Sequence, residues 1–366
     1  MHIGIDARLT YYRIGGISTY VRRLVQALET LDTENRYTVF HSRKAQDSLV
    51  TRFGSAKLST PAHHRWERLA LTVELARFRL DILHSPDFIP PLHGARKQVI
   101  TVHDLTFLHY PQYLSADSRR YYNAQIAQAT KQADHLLADS EATKIDLVNM
   151  LGVPADKITV HMLGVDESFQ PLPKEILKHY RQELDLPPEY FLFVGTFEPR
   201  KNIAGLLQAY QTLLKTLPDA PPLVLAGRRG WLFDETMAAI RQMGLDQHIV
   251  WRDNVSQEAL PAVYNMALAL ITPSFYEGFG LPALEAMACG TLPIVSNRSS
   301  LPEVVGDVGL QIDPDHLDTL TAAMQRVLTD TAWREQMRAA GLKRAAAFTW
   351  ENTAKIALAT YQKVFR

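Results

Sequence analysis

Thr272-Pro-Ser-Phe-Tyr-Glu277-Gly-Phe-Gly280-Leu-Pro282-Ala-Leu-Glu285-Ala286 is the stretch on which the reading of this chain turns. It begins at the end of an apolar run, residues 268–272, with the composition of a buried strand. Gly278 and Gly280 permit a crowded or left-handed turn. Pro282 stands where proline is favoured, in the first turn of a helix. Strand, glycine turn and helix start together leave backbone N–H groups free at the positive end of the helix dipole, a setting that suits a phosphate or pyrophosphate. Glu277 then lies on the turn, at the rim, and Glu285 in the first helical turn. Ionised carboxylates only accept hydrogen bonds, so both suit sugar and ribose hydroxyls, which can donate them. A plain strand-to-helix loop with a capping glutamate is the other reading of the same residues.

Outward from this stretch the rhythm repeats. Strand patterns at 191–195, 223–227, 249–251 and 292–296 alternate with helical patterns, and the first half does the same with strands at 2–6, 37–41, 81–84, 98–102, 135–138 and 158–160. Helices are predicted at 16–30, 65–78, 118–132 and 141–151. Alternation of this kind predicts α/β architecture with parallel sheets covered on both faces. At 366 residues the chain exceeds what one core fills, and the prolines of Phe169-Gln-Pro-Leu-Pro173 mark a division into two domains.

Composition narrows the function classes. Thirty-nine basic and thirty-nine acidic residues cancel, so bulk charge makes no case for a nucleic-acid partner. Cys289 is the single cysteine, which excludes an intramolecular disulfide and a multi-thiolate zinc site; its Ala-Met-Ala-Cys-Gly setting predicts a buried, inert thiol. Met1-His-Ile-Gly-Ile-Asp6 reads as a first strand rather than a signal peptide, and no apolar run is long enough to span a bilayer. A cytoplasmic location is expected, with peripheral contact at the inner membrane surface left open. The stripe Trp66, Leu69, Val73, Ala76 is expected in the core; the neighbouring Arg65, Arg68, Arg77 and Arg79 keep a membrane face as the alternative.

Further motifs follow strand ends. Gly195-Thr-Phe-Glu-Pro-Arg200-Lys201-Asn202 places two cations where they could neutralise a diphosphate, unless they are a solvated pair on a loop. Ile14-Gly15-Gly16-Ile17 allows a close approach to the backbone, or makes a structural turn. Asp6 and Arg8 end the first strand, where they could face a ligand, and Val102-His103-Asp104 follows a strand at the end where open α/β sheets bind ligands, although a His-Asp pair can also be structural. Asp139-Ser140 suits a helix cap, and Ser300-Leu-Pro-Glu303 fits a capping box, with no chemistry assigned to it.

Glu277-x7-Glu285 around Gly-Phe-Gly-Leu-Pro resembles the signature of retaining GT-B glycosyltransferases of family four (glycosyl transferases group 1), and Glu198-Pro-Arg-Lys-Asn202 resembles its mannosyltransferase-like branch. The resemblance covers nearly the whole chain. It implies two facing Rossmann-like doubly wound domains with a C-terminal crossover helix: an acceptor domain over 1–170, a nucleotide-sugar domain over 171–349, and a helix over 350–366 packing back on the first. It further implies that Glu277 contacts donor-sugar hydroxyls, Glu285 the ribose, and the turn Gly278, Phe279, Gly280, Leu281 the pyrophosphate through backbone amides. Lys201, with Arg200, binds phosphate; the family's usual Gly-Arg is replaced here by Gly195-Thr196, so one expected cation is missing or Arg200 supplies it. Gly15 and Gly16 line the donor phosphates, and His103 positions the sugar rather than acting as a base. His103, Lys201 and Glu277 form the implied catalytic set.

The implied reaction is hexosyl transfer with retention, most simply mannose from GDP-mannose, to a hydroxyl of a glycan or lipid-linked acceptor. No carboxylate pair of DxD type flanks a predicted donor strand, so neither a metal ion nor another cofactor is expected. UDP-hexose transfer, a sugar-nucleotide epimerase, a phosphorylase and a catalytically silent sugar-nucleotide-binding subunit are the alternatives.

Overall fold

Parallel sheets organise both halves of the chain. The computed structural model describes every residue except 13, 14, 65 and 115, and the side chain of 118; Ile14 of the glycine loop and Arg65 therefore lie outside the described residues. Two compact units are present, one comprising Met1–Gly164 with Thr349–Arg366, the other Val165–Phe348.

The first unit is built on β1 (His2–Asp6), β2 (Arg36–Ser42), β3 (Gly54–Leu58), β4 (Leu80–Ser85), β5 (Ala95–Val102), β6 (His135–Ala138) and β7 (Ile158–Val160), in the order β3-β2-β1-β4-β5-β6-β7. All these pairings are parallel. The second unit carries β8 (Tyr190–Val194), β9 (Leu223–Ala226), β10 (Ile249–Arg252), β11 (Ala267–Thr272), β12 (Leu292–Ser296) and β13 (Leu310–Ile312), in the order β10-β9-β8-β11-β12-β13. These too pair in parallel throughout. Central strands such as β11 and β12 are buried at every position, as parallel strands covered by helices on both faces must be. Two Rossmann-like doubly wound domains result. The short edge strands β3 and β13 escape a sequence reading: Gly-Ser-Ala-Lys-Leu is mostly exposed, and Leu-Gln-Ile is three residues long.

The last helix, Trp350–Phe365, returns to the first unit and packs on the helix Gly16–Leu31. Its Tyr361 is buried, with the hydroxyl 2.7 Å from His84 Nδ1 on β4. Gly164 lies so close to the start of this helix that a Cβ there would sit 2.2 Å from the Trp350 nitrogen, which accounts for glycine at that crossing.

One core expectation is corrected. Trp66, Leu69 and Val73 are 58%, 49% and 77% exposed, and Ala76 is exposed too. The helix Glu67–Leu75 instead turns Leu71 and Leu75 towards Phe40, Leu58 and Leu80. Polar tethers set that rotation: Glu67 accepts from Arg8 at 2.7 Å, Arg68 donates to the Pro90 carbonyl at 3.0 Å, and Glu74 accepts from the Ser59 and Thr60 amides at 2.8 and 3.0 Å. Buried charged groups need such partners, so the ion pair and amides outrank the apolar stripe.

Candidate functional site

In the second unit the strand order reverses between β8 and β11, which pair directly through Phe191 with Ala269 and Leu192 with Leu270. Ligands of open α/β sheets bind outside the carboxyl ends of strands at such a reversal. The loops that leave β8 and β11 there carry the basic and the glutamate-glycine motifs. Pro199–Lys201 forms a single 3-10 turn, and Asn202 then adopts a left-handed conformation, φ 54°, ψ 42°, which asparagine tolerates better than most residues. Its side chain caps the helix Ile203–Thr216 by accepting from the Gly205 amide, so the chain turns sharply just after Lys201.

The sharp turn brings three of the expected residues together. Glu277 Oε1 accepts from Lys201 Nζ at 2.6 Å and from Ser274 Oγ at 2.7 Å, while Oε2 accepts from Arg200 Nη1 at 2.8 Å. The Phe275 amide donates to the Arg200 carbonyl at 2.8 Å, tying the two loops together through the backbone as well. Glu277 is therefore not at the rim: it is buried, as is Lys201. Burial alone would raise its pKa, but the Lys201 and Arg200 cations, with the hydrogen bonds of Lys201 and Ser274, overcome this and hold it down at about 2. Burial lowers the Lys201 ammonium, against the pull of Glu277 and with the push of Arg200. Arg200 also donates to Glu198 at 3.0 Å, so the cluster sets two cations against two carboxylates.

The glycine turn is held by two serines, Ser299, which the sequence reading passed over, and Ser300, which it read as a helix cap. Ser300 Oγ lies 2.8 Å from the Glu277 carbonyl and 2.7 Å from the Phe279 carbonyl, and the Glu277 amide donates to Ser299 Oγ at 2.9 Å. Ser300 is thus no capping-box residue: it makes no side-chain cap hydrogen bond to its own helix, because its hydroxyl is committed to the neighbouring loop. Gly280 caps the helix Leu281–Ala288 at φ 107°, a conformation that favours glycine, and a Cβ there would press on Leu301 Cδ2 at 2.7 Å. Among the described residues, the amides of Phe279, Gly280 and Leu281 donate to no protein acceptor. With the helix start beside them, these N–H groups form a site for an anion.

Glu285 stands in the second turn of that helix, which begins at Leu281, not in the first. Its Oε2 accepts from the Tyr264 hydroxyl at 2.7 Å. Desolvation raises the carboxyl to about 7, a little less than it would without that hydroxyl. Tyr264, on the helix Leu260–Asn265, carries no sequence signal: it looks like one more core aromatic and is buried. Ser274, three residues before Glu277 in the decisive stretch, was legible as a neighbour but not as a ligand of its carboxylate. Cys289 is buried and its thiol is raised by burial, the inert state expected.

The remaining site candidates lie in the first unit. Gly15 precedes the helix Gly16–Leu31 at φ 154°, and a Cβ there would meet no heavy atom of the described residues within 4 Å, which leaves room beside the backbone. His103, after β5, places Nδ1 2.7 Å from Asp139 Oδ2 and Nε2 3.0 Å from the Pro86 carbonyl. Burial disfavours its charged form, but the Asp139 carboxylate prevails and raises it to about 9. Arg8, which could have faced a ligand at the strand end, is instead tied up within the first unit. It is buried and donates to Asp6, to Glu67 and to the Thr60 carbonyl, an ion cluster that ties β1 to the segments after β3. Asp104 caps the turn at Thr106, and Ser140 accepts from the Thr143 amide as a helix cap.

Comparison with known proteins agrees with this geometry. The sequence profile described as Glycosyl transferases group 1 matches residues 177–344, and that of Glycosyltransferase Family 4 matches residues 14–169. O-antigen chain mannosyltransferase B of Escherichia coli is 34% identical over 359 residues, which cover 93% of this chain and 94% of that protein. The serotype-specific mannosyltransferase WbdA of the same species is 30% identical over 292 residues, 77% of this chain but 36% of that protein. The crystal structure of Anabaena Alr3699/HepE in complex with UDP and glucose matches with a TM-score of 0.78 at 16% identity, covering 99% of this chain and 100% of that one, a likeness of fold. The chain belongs to glycosyltransferase family four, the glycosyl transferases group 1, and has the GT-B fold. It is a glycosyltransferase.

Proposed function

We propose that this glycosyltransferase is a retaining mannosyltransferase that moves mannose from GDP-mannose to a hydroxyl of a glycan or lipid-linked oligosaccharide during polysaccharide synthesis. The observation that carries the reading is the cluster of buried Lys201 and Glu277 with half-buried Arg200 beside the unpartnered amides of Phe279, Gly280 and Leu281. A diphosphate needs fixed donors and positive charge, and both stand together at the carboxyl ends of β8 and β11. The names of the Escherichia coli relatives support mannose as the sugar and O-antigen-type polysaccharide as the product.

In this mechanism the bond between the anomeric carbon and the β-phosphate oxygen breaks, and the electron pair stays on that oxygen. The 279–281 amides, Lys201 and Arg200 stabilise the growing negative charge. The acceptor hydroxyl attacks from the face the phosphate leaves, and its proton passes to the departing phosphate oxygen. Glu277 and Glu285 read sugar and ribose hydroxyls respectively; from the resemblance, His103, Gly15 and Gly16 of the first unit serve the sugar and the phosphates. Lys201 and Arg200 supply the counter-charge that a metal would otherwise bring, so the reaction is assigned no metal ion and no cofactor.

A calorimetric panel of GDP-mannose, UDP-glucose and ADP-glucose in EDTA tests donor and metal independence together, and NMR of the product's anomeric centre tests retention. Binding of UDP-glucose without GDP-mannose would transfer the assignment to a UDP-hexose. A catalytically silent subunit would bind the donor yet neither transfer nor hydrolyse it. No helix among the described residues is long and apolar enough to cross a membrane. Peripheral contact with an anionic inner membrane surface is supported by the exposed stripe Trp66, Leu69, Val73, with exposed Arg77 and Arg79 just beyond it.

A further inference from the structure

His103 is flanked by acceptors at both ring nitrogens: Asp139 Oδ2 at Nδ1, 2.7 Å away, and the Pro86 carbonyl at Nε2, 3.0 Å away. Neither an ionised carboxylate nor a carbonyl can donate, so both nitrogens carry hydrogen and the ring is a cation. His161 directs Nε2 at the other Asp139 oxygen, 3.2 Å away, while its buried Nδ1 has no partner among the described residues. His84 lies between Thr101 Oγ1 at 2.8 Å and the Tyr361 hydroxyl at 2.7 Å, and burial lowers it to about 3, so it is neutral. The Tyr20 ring meets His103 edge-on with centroids 4.9 Å apart, and its phenol, with a pKa raised by burial, stays neutral as well. Asp87, after β4, adds a weaker attraction. Asp139 is thus the buried counter-charge of His103, and its second oxygen meets His161.

We propose that Asp139 is a positioning residue that keeps His103 a permanent two-proton donor, so that its Nε2–H, resting on the Pro86 carbonyl, can be offered to a hydroxyl or phosphate oxygen but can never accept a proton. The inference rests on the mannosyltransferase reading for what the Nε2–H serves, and on hydrogen-bond geometry alone for the charge of the ring. It assigns a role to a residue that sequence reading left as part of a helix cap. It also agrees with a reaction in which the leaving phosphate, not a side chain, takes the proton. A charge-assisted donor is roughly twice as strong as a neutral one, which is the advantage Asp139 confers.

The test separates ring state from function. Ring ¹⁵N–¹H spectra of the full chain at pH 7.5 should show both His103 nitrogens protonated; a singly protonated ring would overturn the proposal, whatever the enzyme does. Asp139→Asn should leave His103 neutral at that pH. GDP release from GDP-mannose should then fall about 10- to 100-fold in kcat, with little change in KM, and gain a new ionisation near the ordinary histidine value of about 6.5. His161→Phe breaks the other Asp139 bond yet keeps the carboxylate, so His103 should stay doubly protonated; loss of its proton there would also overturn the proposal. If Asp139→Asn fails to fold, the wild-type and His161→Phe spectra still decide the ring state. A neutral His103 in Asp139→Asn with wild-type kcat and pH profile would sink the positioning role, while GDP-mannose binding measured calorimetrically on the same variant would show whether the donor reading itself survives.

Discussion

Lys201 Nζ meets Glu277 Oε1 at 2.6 Å across 76 positions of sequence, and both side chains are buried. The pair joins the loops after two adjacent strands, so it is at once a structural tie and the charged floor of the candidate donor site. Lys201→Ala removes one cation and leaves Glu277 with Arg200 and the Ser274 hydroxyl. Breaking a buried pair from one side costs roughly 3–5 kcal/mol, and losing a donor to the leaving group lowers turnover about 10²- to 10³-fold. Urea unfolding and GDP-mannose turnover measure the two effects; wild-type turnover in a folded Lys201→Ala protein would remove Lys201 from the mechanism.

The same pair predicts the acid limb of stability. Glu277 has a folded pKa of about 2 against an ordinary value of 4.5. A depressed carboxylate contributes stability that is fully present above the unfolded pKa and lost as pH falls through the folded one. Wild type should therefore lose on the order of 2–3 kcal/mol more than Glu277→Gln between pH 5 and pH 2, seen as converging denaturation midpoints. Parallel curves would mean that folding leaves the Glu277 pKa unshifted.

Glu285 predicts a pH-dependent donor affinity. Its carboxyl titrates at about 7, and only the ionised form accepts from two hydroxyls at once. GDP-mannose should bind more tightly as pH rises from 6 to 8. Tyr264→Phe removes the hydrogen bond that lowers the Glu285 pKa, and should move that midpoint upwards. Glu285→Ala should abolish the dependence and weaken GDP binding about 10-fold. Full affinity in Glu285→Ala would refute the ribose assignment.

Ser300→Ala tests the turn rather than the charges. It deletes the hydroxyl shared by the Glu277 and Phe279 carbonyls, at about 1–2 kcal/mol of stability. Donor affinity should fall because the 279–281 amides lose their fixed direction, while the Glu277–Lys201 pair persists. Unchanged calorimetric binding would place the pyrophosphate elsewhere.

The exposed stripe predicts a surface behaviour. Leu69→Asp combined with Val73→Asp alters the exposed side of the helix Glu67–Leu75 and leaves its buried Leu71 and Leu75 intact. Wild type should float with vesicles containing phosphatidylglycerol, and the double variant should not, with GDP-mannose binding equal in both. Equal flotation would end the membrane reading.

The decisive stretch was legible because local rules converge on it. Gly280 needs a positive φ, Pro282 suits a first helical turn, and β11 is apolar at every position, all properties of neighbours in sequence. The exposure of Glu277 was misread because its burial depends on cations 76 and 77 positions away. Ser300 was misread for a related reason: a Ser-x-x-Glu pattern reports what a hydroxyl can do within its own helix, while the competing carbonyls of Glu277 and Phe279 come from another loop. For the helix Glu67–Leu75, two apolar stripes were available, and only the partners of Glu67, Arg68 and Glu74 chose between them.

From the sequence alone came the α/β class, most strands, the strand-turn-helix at residues 268–286 and the family to which they point. These follow from period, backbone preference and the chemistry of short spans, where each residue's neighbours are already known. Only the tertiary structure decided which charges are buried, which hydroxyls hold the turn, that Tyr264 serves Glu285, and that His103 pairs with Asp139. Such properties depend on groups far apart in the chain becoming close in space. Desolvation and Coulomb attraction act through that closeness, and no local pattern encodes it.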